Sequence, residues 1–227
     1  MSDRVPVLPQ PAATVVLMRD CGERLEVLLV RRSSGLDFLG GAWVFPGGRI
    51  DPEDYLPDAP ADRLAAARRA AVREAAEEAG VTIAEEQLVP LSRWIAPEGL
   101  PRRFDARFFV APAAGETVCV DGIEIHEHRW MQAEEALAAH YAGEIMLPPP
   151  TFVTLIHLSR YRSVSHALSV LRNMTAETFN PRIRAIPGGA CSLYAGDAAY
   201  EGGELESPGP RHRLWILASG WRYERTA

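Results

Sequence analysis

The chain has 227 residues, 47% hydrophobic and 24% charged, enough to bury a sizeable core in one domain, and it contains no run of about 18 apolar residues that would cross a membrane. A net charge of −6 argues against broad nucleic-acid or anionic-membrane binding, so an anionic substrate would need a cation or clustered arginines. Cys21, Cys119 and Cys191 are odd in number and far apart, which suits neither a disulfide framework nor a paired-cysteine zinc site. They read as reduced thiols, and the opening MSDRVPVLPQPAAT has no apolar stretch behind a positive segment, so the expectation is a soluble cytoplasmic protein.

Residues 1–11 are Pro-rich and aperiodic, and are expected to form a flexible arm. TVVLM and LEVLLV then read as two strands around the turn RDCGER. The Gly- and aromatic-rich stretch RRSSGLDFLGGAWVFPGG follows, and DPEDYLPDAPAD is a Pro/Asp loop that cannot be a helix interior. From the N-cap candidate Asp62, DRLAAARRAAVREAAEEAG is a helix of strong formers that stops at Gly80. LVPLSRWIAP and RRFDARFFVAPA look like strands, and DGIEIHEHRWMQAEEALAAH passes from a loop through a short strand into a second helix. After Leu147 the run PPP is a hard break, and TFVTLIHLSRYRSVSHALSVLRNM offers one or two more helices. The tail, PRIRAIPG, CSLYAGDAAY and HRLWILASGWRYER, reads as short strands or loops separated by a polar, Gly-rich segment. Strands and helices alternate irregularly, which gives a mixed α/β or α+β class.

Chemistry concentrates on the helix after Asp62. Arg73, Glu74, Glu77 and Glu78 spell RExxEExG ending at Gly80, and glutamates at i, i+3 and i+4 share one helical face. At about 5 Å and an effective dielectric of about 20, each like-charge pair repels by roughly 3 kcal/mol before solvent screening. Carboxylate oxygens are hard ligands suited to magnesium or manganese, and a phosphate can complete the shell. A solvated face is the ordinary fate of a helical charge cluster. Leu64, Ala67, Ala71 and Ala75 on the opposite side are mostly small and would let the helix lie close to a sheet.

The pieces GAWVFPGGRI and REAAEEAGV together resemble the Nudix box, written G-x5-E-x7-R-E-U-x-E-E-x-G-U with U bulky and aliphatic. The match anchors at Gly48 and Arg73. Those two stand twenty-five positions apart, an insertion of eleven residues relative to the pattern, placed in the Pro/Asp loop where loop-closure entropy grows slowly with length. Counted forward from Gly48, Asp54 occupies the place of the first glutamate; counted back from Arg73, Ala65 does. Ala75 fills the bulky U position.

The resemblance implies a Nudix-type α/β/α sandwich with a mixed sheet: a core over residues 12–146 with an insertion at about 51–61, and residues 147–227 as C-terminal helices and tail packed on the same domain. It implies a diphosphatase in which Glu74, Glu77 and Glu78 bind Mg2+ or Mn2+, Arg73 orients one of them and the Gly48 carbonyl adds a ligand. A bound ion would neutralise a diphosphate and activate a water for in-line attack. Family members often draw a further acid from a loop ahead of a Trp-containing strand; IEIHEHRWM offers Glu124 and Glu127 before Trp130, with Glu124 the favoured base or extra ligand. His126 and His128 are assigned no role.

RWIAPEGLPRRFDARFFVA, LPPPTFVTL and YAGDAAY followed by RHRLW are similar to the animal peroxisomal coenzyme A diphosphatase branch and its bacterial relatives, which also carry inserted residues in the box. Another coenzyme A signature is answered in part by Arg31, Arg32, Ser33 and GAWVFPGG, with Asp37 where its second arginine belongs. The expected substrate is a small nucleotide-derived diphosphate, coenzyme A or its acyl forms; the alternatives are NADH, ADP-ribose or a nucleotide sugar, or a non-catalytic ligand-binding domain. Arg102, Arg103 and Arg107 are the candidate phosphate-binding forks, Arg103 preferred, and Trp94 or Phe104 the candidate base-stacking ring. No nucleic-acid or membrane partner is expected, and the chain is compatible with a homodimer.

Overall fold

The computed structural model describes residues 7–35, 39–113, 117–120 and 122–226. Residues 1–6 of the expected arm and Asp37 lie outside them. Gln10 and Pro11, expected in the arm, already belong to the first strand, β1 (Gln10–Cys21).

β1 organises the main sheet. It turns back through Gly22 into β2 (Arg24–Arg32), and it pairs in parallel with β6 (Phe104–Pro112). β2 carries β3 (Trp43–Val44) and β7 (Ile125–Gln132), while β4 (Gly47–Arg49) runs antiparallel to the start of β1. β5 (Val89–Ile95) joins β6, and a short strand from far down the chain, β8 (Glu177–Phe179), closes that edge beside β5. The sheet is mixed, as expected.

Strand alternation splits the core into two faces. Ala13, Val15 and Leu17 of β1 point at α1 (Arg63–Ala79), where they meet Ala67, Ala70, Ala71, Ala75 and Ala79. Side chains this small bring the helix close to the sheet. Leu64, expected on that stripe, is 40% exposed; it lies in the first helical turn, and the buried face is built from alanines alone. Asp62 accepts from the Leu64 and Ala65 N–H groups, and Gly80 ends the helix at φ 67°, a conformation that favours glycine.

Val16 and Met18 face the other way, toward Phe152, Leu155 and Leu158 of α3 (Pro149–Leu158), with α2 (Ala133–Tyr141) and α4 (Val164–Leu171) in the same layer. The tail forms a second sheet, ordered β12-β11-β10-β9: β9 (Arg182–Ile186), β10 (Gly189–Leu193), β11 (His212–Leu217) and β12 (Gly220–Arg225). One of its faces joins the core through Leu214, Ile216, Trp221 and Tyr223. Beneath the other, Asp197 and Arg213, both fully buried, make paired bonds of 2.6 and 2.7 Å, and Asp197 also accepts from the His212 and Ala199 N–H groups.

Removing one partner of that pair strands a buried charge. Asp197→Ala is expected to lower the unfolding free energy by about 3–5 kcal/mol, and the double change Asp197→Leu with Arg213→Met by less; urea unfolding of the three proteins checks the order.

Candidate active site

The two glycines after Pro46 are required by crowding. A Cβ on Gly47 would fall 2.4 Å from the Ala13 carbonyl oxygen, and one on Gly48 would fall 2.4 Å from Oε1 of Glu74. Bare backbone therefore lies between β1 and the acidic face of α1. The Gly47 N–H donates to Glu78 Oε2 at 2.8 Å. Glu78 is only 5% exposed, whereas the Glu77 side chain is 58% exposed. Glu74 and Glu78, one turn apart, thus press on the glycine backbone, with Glu77 at the rim.

Arg73 ties the acids together. Its Nη1 donates to Glu74 at 2.8 Å and to Glu77 at 2.9 Å, and its Nη2 to Asp54 Oδ2 at 3.0 Å and to the Arg49 carbonyl at 2.9 Å. Asp54 is buried and also accepts from the Asp51 N–H at 2.9 Å, while Arg69 donates to its carbonyl. The forward count from Gly48 is therefore the one the fold follows, since Ala65 sits on the helix with no such contacts. Hydrogen bonding to Asp54, reinforced by Glu74, holds the Arg73 guanidinium firmly charged.

Burial pushes Glu78 up to about 8; the Gly47 N–H opposes the shift, the charges of Glu74 and Glu124 add to it, and Arg32 opposes it. Burial likewise raises Glu74, against the pull of Arg73. Desolvated carboxylates repelling one another beside exposed backbone have the donor chemistry for a hard divalent cation. Among the described residues no three acidic, histidine or cysteine side chains already converge as a ligand set, because Arg73 holds Glu74 and Glu77 and the Gly47 N–H holds Glu78.

Glu124 reaches this site electrostatically, through its effect on Glu78. Glu127 is engaged elsewhere: Arg129 and Arg31 bind it and hold it below the usual carboxylate range. Arg31, Arg32, Ser34, His126 and Glu127 line an open cleft of about 420 Å³. Arg32 belongs to both cleft and carboxylate site: it follows Leu28 and Val30 in phase on the face of β2 that meets α1, and it lines the cleft. His128 stands in register with Val30.

The other expected contacts separate. Arg103 is buried and donates to the Ala96 carbonyl at 3.0 Å and the Val7 carbonyl at 2.9 Å, so its fork ties chain to chain. Trp94 is 5% exposed and stacks on Phe179 at 4.0 Å between centroids, which makes it a core ring. Phe104 opens β6 half-buried, and Arg102 is exposed in the loop before it. Arg107 is the one placed toward the site: it registers with Ala13, which registers with Gly48, putting it two strands, roughly 10 Å, from Gly48 on the α1 side.

Residues 8–148 match the NUDIX domain. The chain is 31% identical over 115 residues to the human acyl-coenzyme A diphosphatase NUDT19, covering 48% of this chain and 31% of that protein. It is 41% identical over 81 residues to the Caenorhabditis elegans peroxisomal coenzyme A diphosphatase ndx-8, covering 35% of this chain and 31% of the other. It thus spans about a third of the length of these two relatives. The crystal structure of a NUDIX hydrolase from Alicyclobacillus acidocaldarius superposes with a TM-score of 0.64 at 27% identity, covering 74% of this chain and 98% of that one.

Asp54→Ala is expected to cost about 1–3 kcal/mol of stability, since it leaves Arg73 and the Asp51 N–H short of a buried charged acceptor. Ala65→Glu, at the other counted place, should change stability by less than about 0.5 kcal/mol. Paired urea titrations distinguish the two positions.

Proposed function

This chain belongs to the NUDIX domain family, and from that premise we propose that it is a metal-dependent hydrolase that splits the internal diphosphate of coenzyme A or an acyl-coenzyme A. The observation that carries the hydrolase reading is the buried Glu78 and half-buried Glu74, held against the Gly47 and Gly48 backbone under Arg73. Glu74, Glu77 and Glu78, with the Gly48 carbonyl, would hold magnesium or manganese, which when bound supplies charge neutralisation at phosphorus and an acidified water. Arg73 orients Glu74 and Glu77 from one guanidinium and is itself fixed by Asp54.

Glu124 is the proton acceptor in this reading, because its charge reaches Glu78, whereas Glu127 is held by Arg31 and Arg129. Arg32 supplies a cation between the acids and the cleft, and Arg107 a second on the α1 side; these replace Arg103 as the phosphate-binding arginines. Water adds to one phosphorus of the diphosphate and the bridging bond breaks, giving 4′-phosphopantetheine, or its acyl form, and adenosine 3′,5′-bisphosphate. The substrate choice is supported by the RRFDARFF and YAGDAAY segments, the insertion in the box and the printed activities of the two animal relatives. No helix among the described residues is long and apolar enough to cross a membrane.

Excess chelator is expected to abolish turnover and added magnesium or manganese to restore it; full activity in chelator would refute the metal mechanism. Glu77→Gln and Glu78→Gln should each slow turnover about a hundredfold or more with the fold kept, since charge is lost without volume. The substrate test compares kcat/KM for coenzyme A, dephospho-coenzyme A, NADH and ADP-ribose under one metal condition. A tenfold preference for NADH or ADP-ribose, about 1.4 kcal/mol, would overturn the coenzyme A assignment and leave the hydrolase standing. No turnover of any substrate with metal present would favour a ligand-binding domain.

A further inference from the structure

The second sheet meets the rest of the molecule at a seam rich in aromatic rings, and the seam contains three of the six histidines. Among the described residues, strands β9 to β12 form ladders only with one another. Across the seam, His212 of β11 lies 5.5 Å from Phe179 of β8, 5.1 Å from Tyr194 and 5.9 Å from Tyr223. His157 of α3 lies 5.7 Å from Tyr223 and 6.2 Å from Phe179. At the other end His140 of α2 meets Trp221 of β12 at 4.8 Å, and the Tyr141 hydroxyl donates to the Trp221 carbonyl at 3.0 Å.

The histidine nitrogens here are placed to be neutral. His157 Nε2 and His212 Nε2 are buried with no hydrogen-bond partner. His212 Nδ1 lies 2.9 Å from the Ala195 carbonyl, a contact that requires the proton on that nitrogen and leaves Nε2 as the basic one. His140 Nδ1 accepts from the Leu147 N–H at 3.3 Å, a bond that protonation destroys. Burial among aromatic rings disfavours an imidazolium, against the Ile145 carbonyl at His140 and the Ala195 carbonyl and Glu177 at His212, which favour it.

We propose that this seam is an acid-operated latch: His140, His157 and His212 hold the second sheet on α2, α3 and β8 while neutral, and their protonation releases that sheet while the sheet and helix bearing the carboxylate site stay folded. The surrounding charges are mixed. His157 faces Arg160, Arg225 and His212, which oppose protonation, and Glu177, which favours it. His212 faces Arg225 in opposition and Glu177, 3.8 Å away, and Asp197 in favour. Glu177 is held by Arg225 at 2.6 Å across the seam. Burial is the leading effect at each of the three and lowers all of them, His157 to about 4.

The sign follows directly. A histidine whose folded value lies below its ordinary 6.5 contributes stability that is complete above pH 6.5 and is lost as pH falls toward the folded value. Taken alone, His157 weakens the latch about twentyfold between pH 7 and pH 5. Local release differs from global unfolding in which amides open.

The test is hydrogen–deuterium exchange on the full chain, corrected for intrinsic rates, at pH 7 and pH 5. Protection in β11 and β12 is expected to fall at least tenfold while α1 changes less than threefold. In the double variant His157→Phe and His212→Gln that differential should shrink severalfold, with the exposed His166→Gln as control. Should the double variant fail to fold, imidazole NMR titration of the wild type decides, with His157 and His212 expected well below the ordinary histidine value of 6.5. Parallel loss in α1 and β11, retained protection at pH 5, an unchanged differential in the folded double variant, or His157 and His212 titrating at that ordinary value would each overturn the latch.

Discussion

Glu78 is buried and Glu74 half-buried, one helical turn apart against the Gly47 and Gly48 backbone, and the cost of desolvating the two carboxylates governs what surrounds them. The Gly47 N–H compensates one carboxylate and Arg73 the other. Both arrangements demand that α1 sit close to β4, which the alanine stripe permits and the two glycines make room for. A larger residue at Ala71 or Ala75 would lift the helix away and break the Gly47 to Glu78 bond before touching either acid directly.

Arg73 explains how an insertion can interrupt the box without dismantling it. A single guanidinium contacts residues on both sides of the inserted loop: Arg49 and Asp54 before it, Glu74 and Glu77 after it. The chain between Asp54 and Asp62 has only to leave and return, and lengthening such an excursion costs little. Pro52 starts the single tight turn that presents Asp54 to Arg73, so the inserted residues fall after the acid has been placed.

What the sequence made legible follows the range of the forces involved. The helix from Asp62 to Gly80, the β1–β2 hairpin, the helices after Leu147 and the carboxylate face are set by caps, periodicity and spacing within a few residues. The placement of Arg103 and Trp94 is not legible locally because their partners are remote: Val7 lies 96 positions from Arg103, and Phe179 reaches Trp94 because β8 returns to the edge of β5. An arginine beside an aromatic strand reads the same whether its fork faces solvent or a buried carbonyl. The tail reads as short strands or loops, and that its strands of five or six residues pair into a sheet of their own depends on ladders no single hydrophobic run announces.

The same contrast bears on substrate choice. Once Arg103 is committed to two backbone carbonyls, two of the strand-borne cations on the α1 side are Arg32 on β2 and Arg107 on β6. They stand on opposite sides of β1. A substrate gripping both must carry negative charge at two separated points, which a diphosphate bearing an additional phosphate satisfies and a compact dinucleotide without one does not. The geometry therefore predicts an asymmetric loss: Arg107→Ala should reduce kcat/KM for coenzyme A about tenfold or more and leave dephospho-coenzyme A nearly unchanged, whereas Arg32→Ala should reduce both, since its charge acts at the acids themselves. Equal losses on the two substrates for Arg107→Ala would move the additional phosphate to another part of the surface.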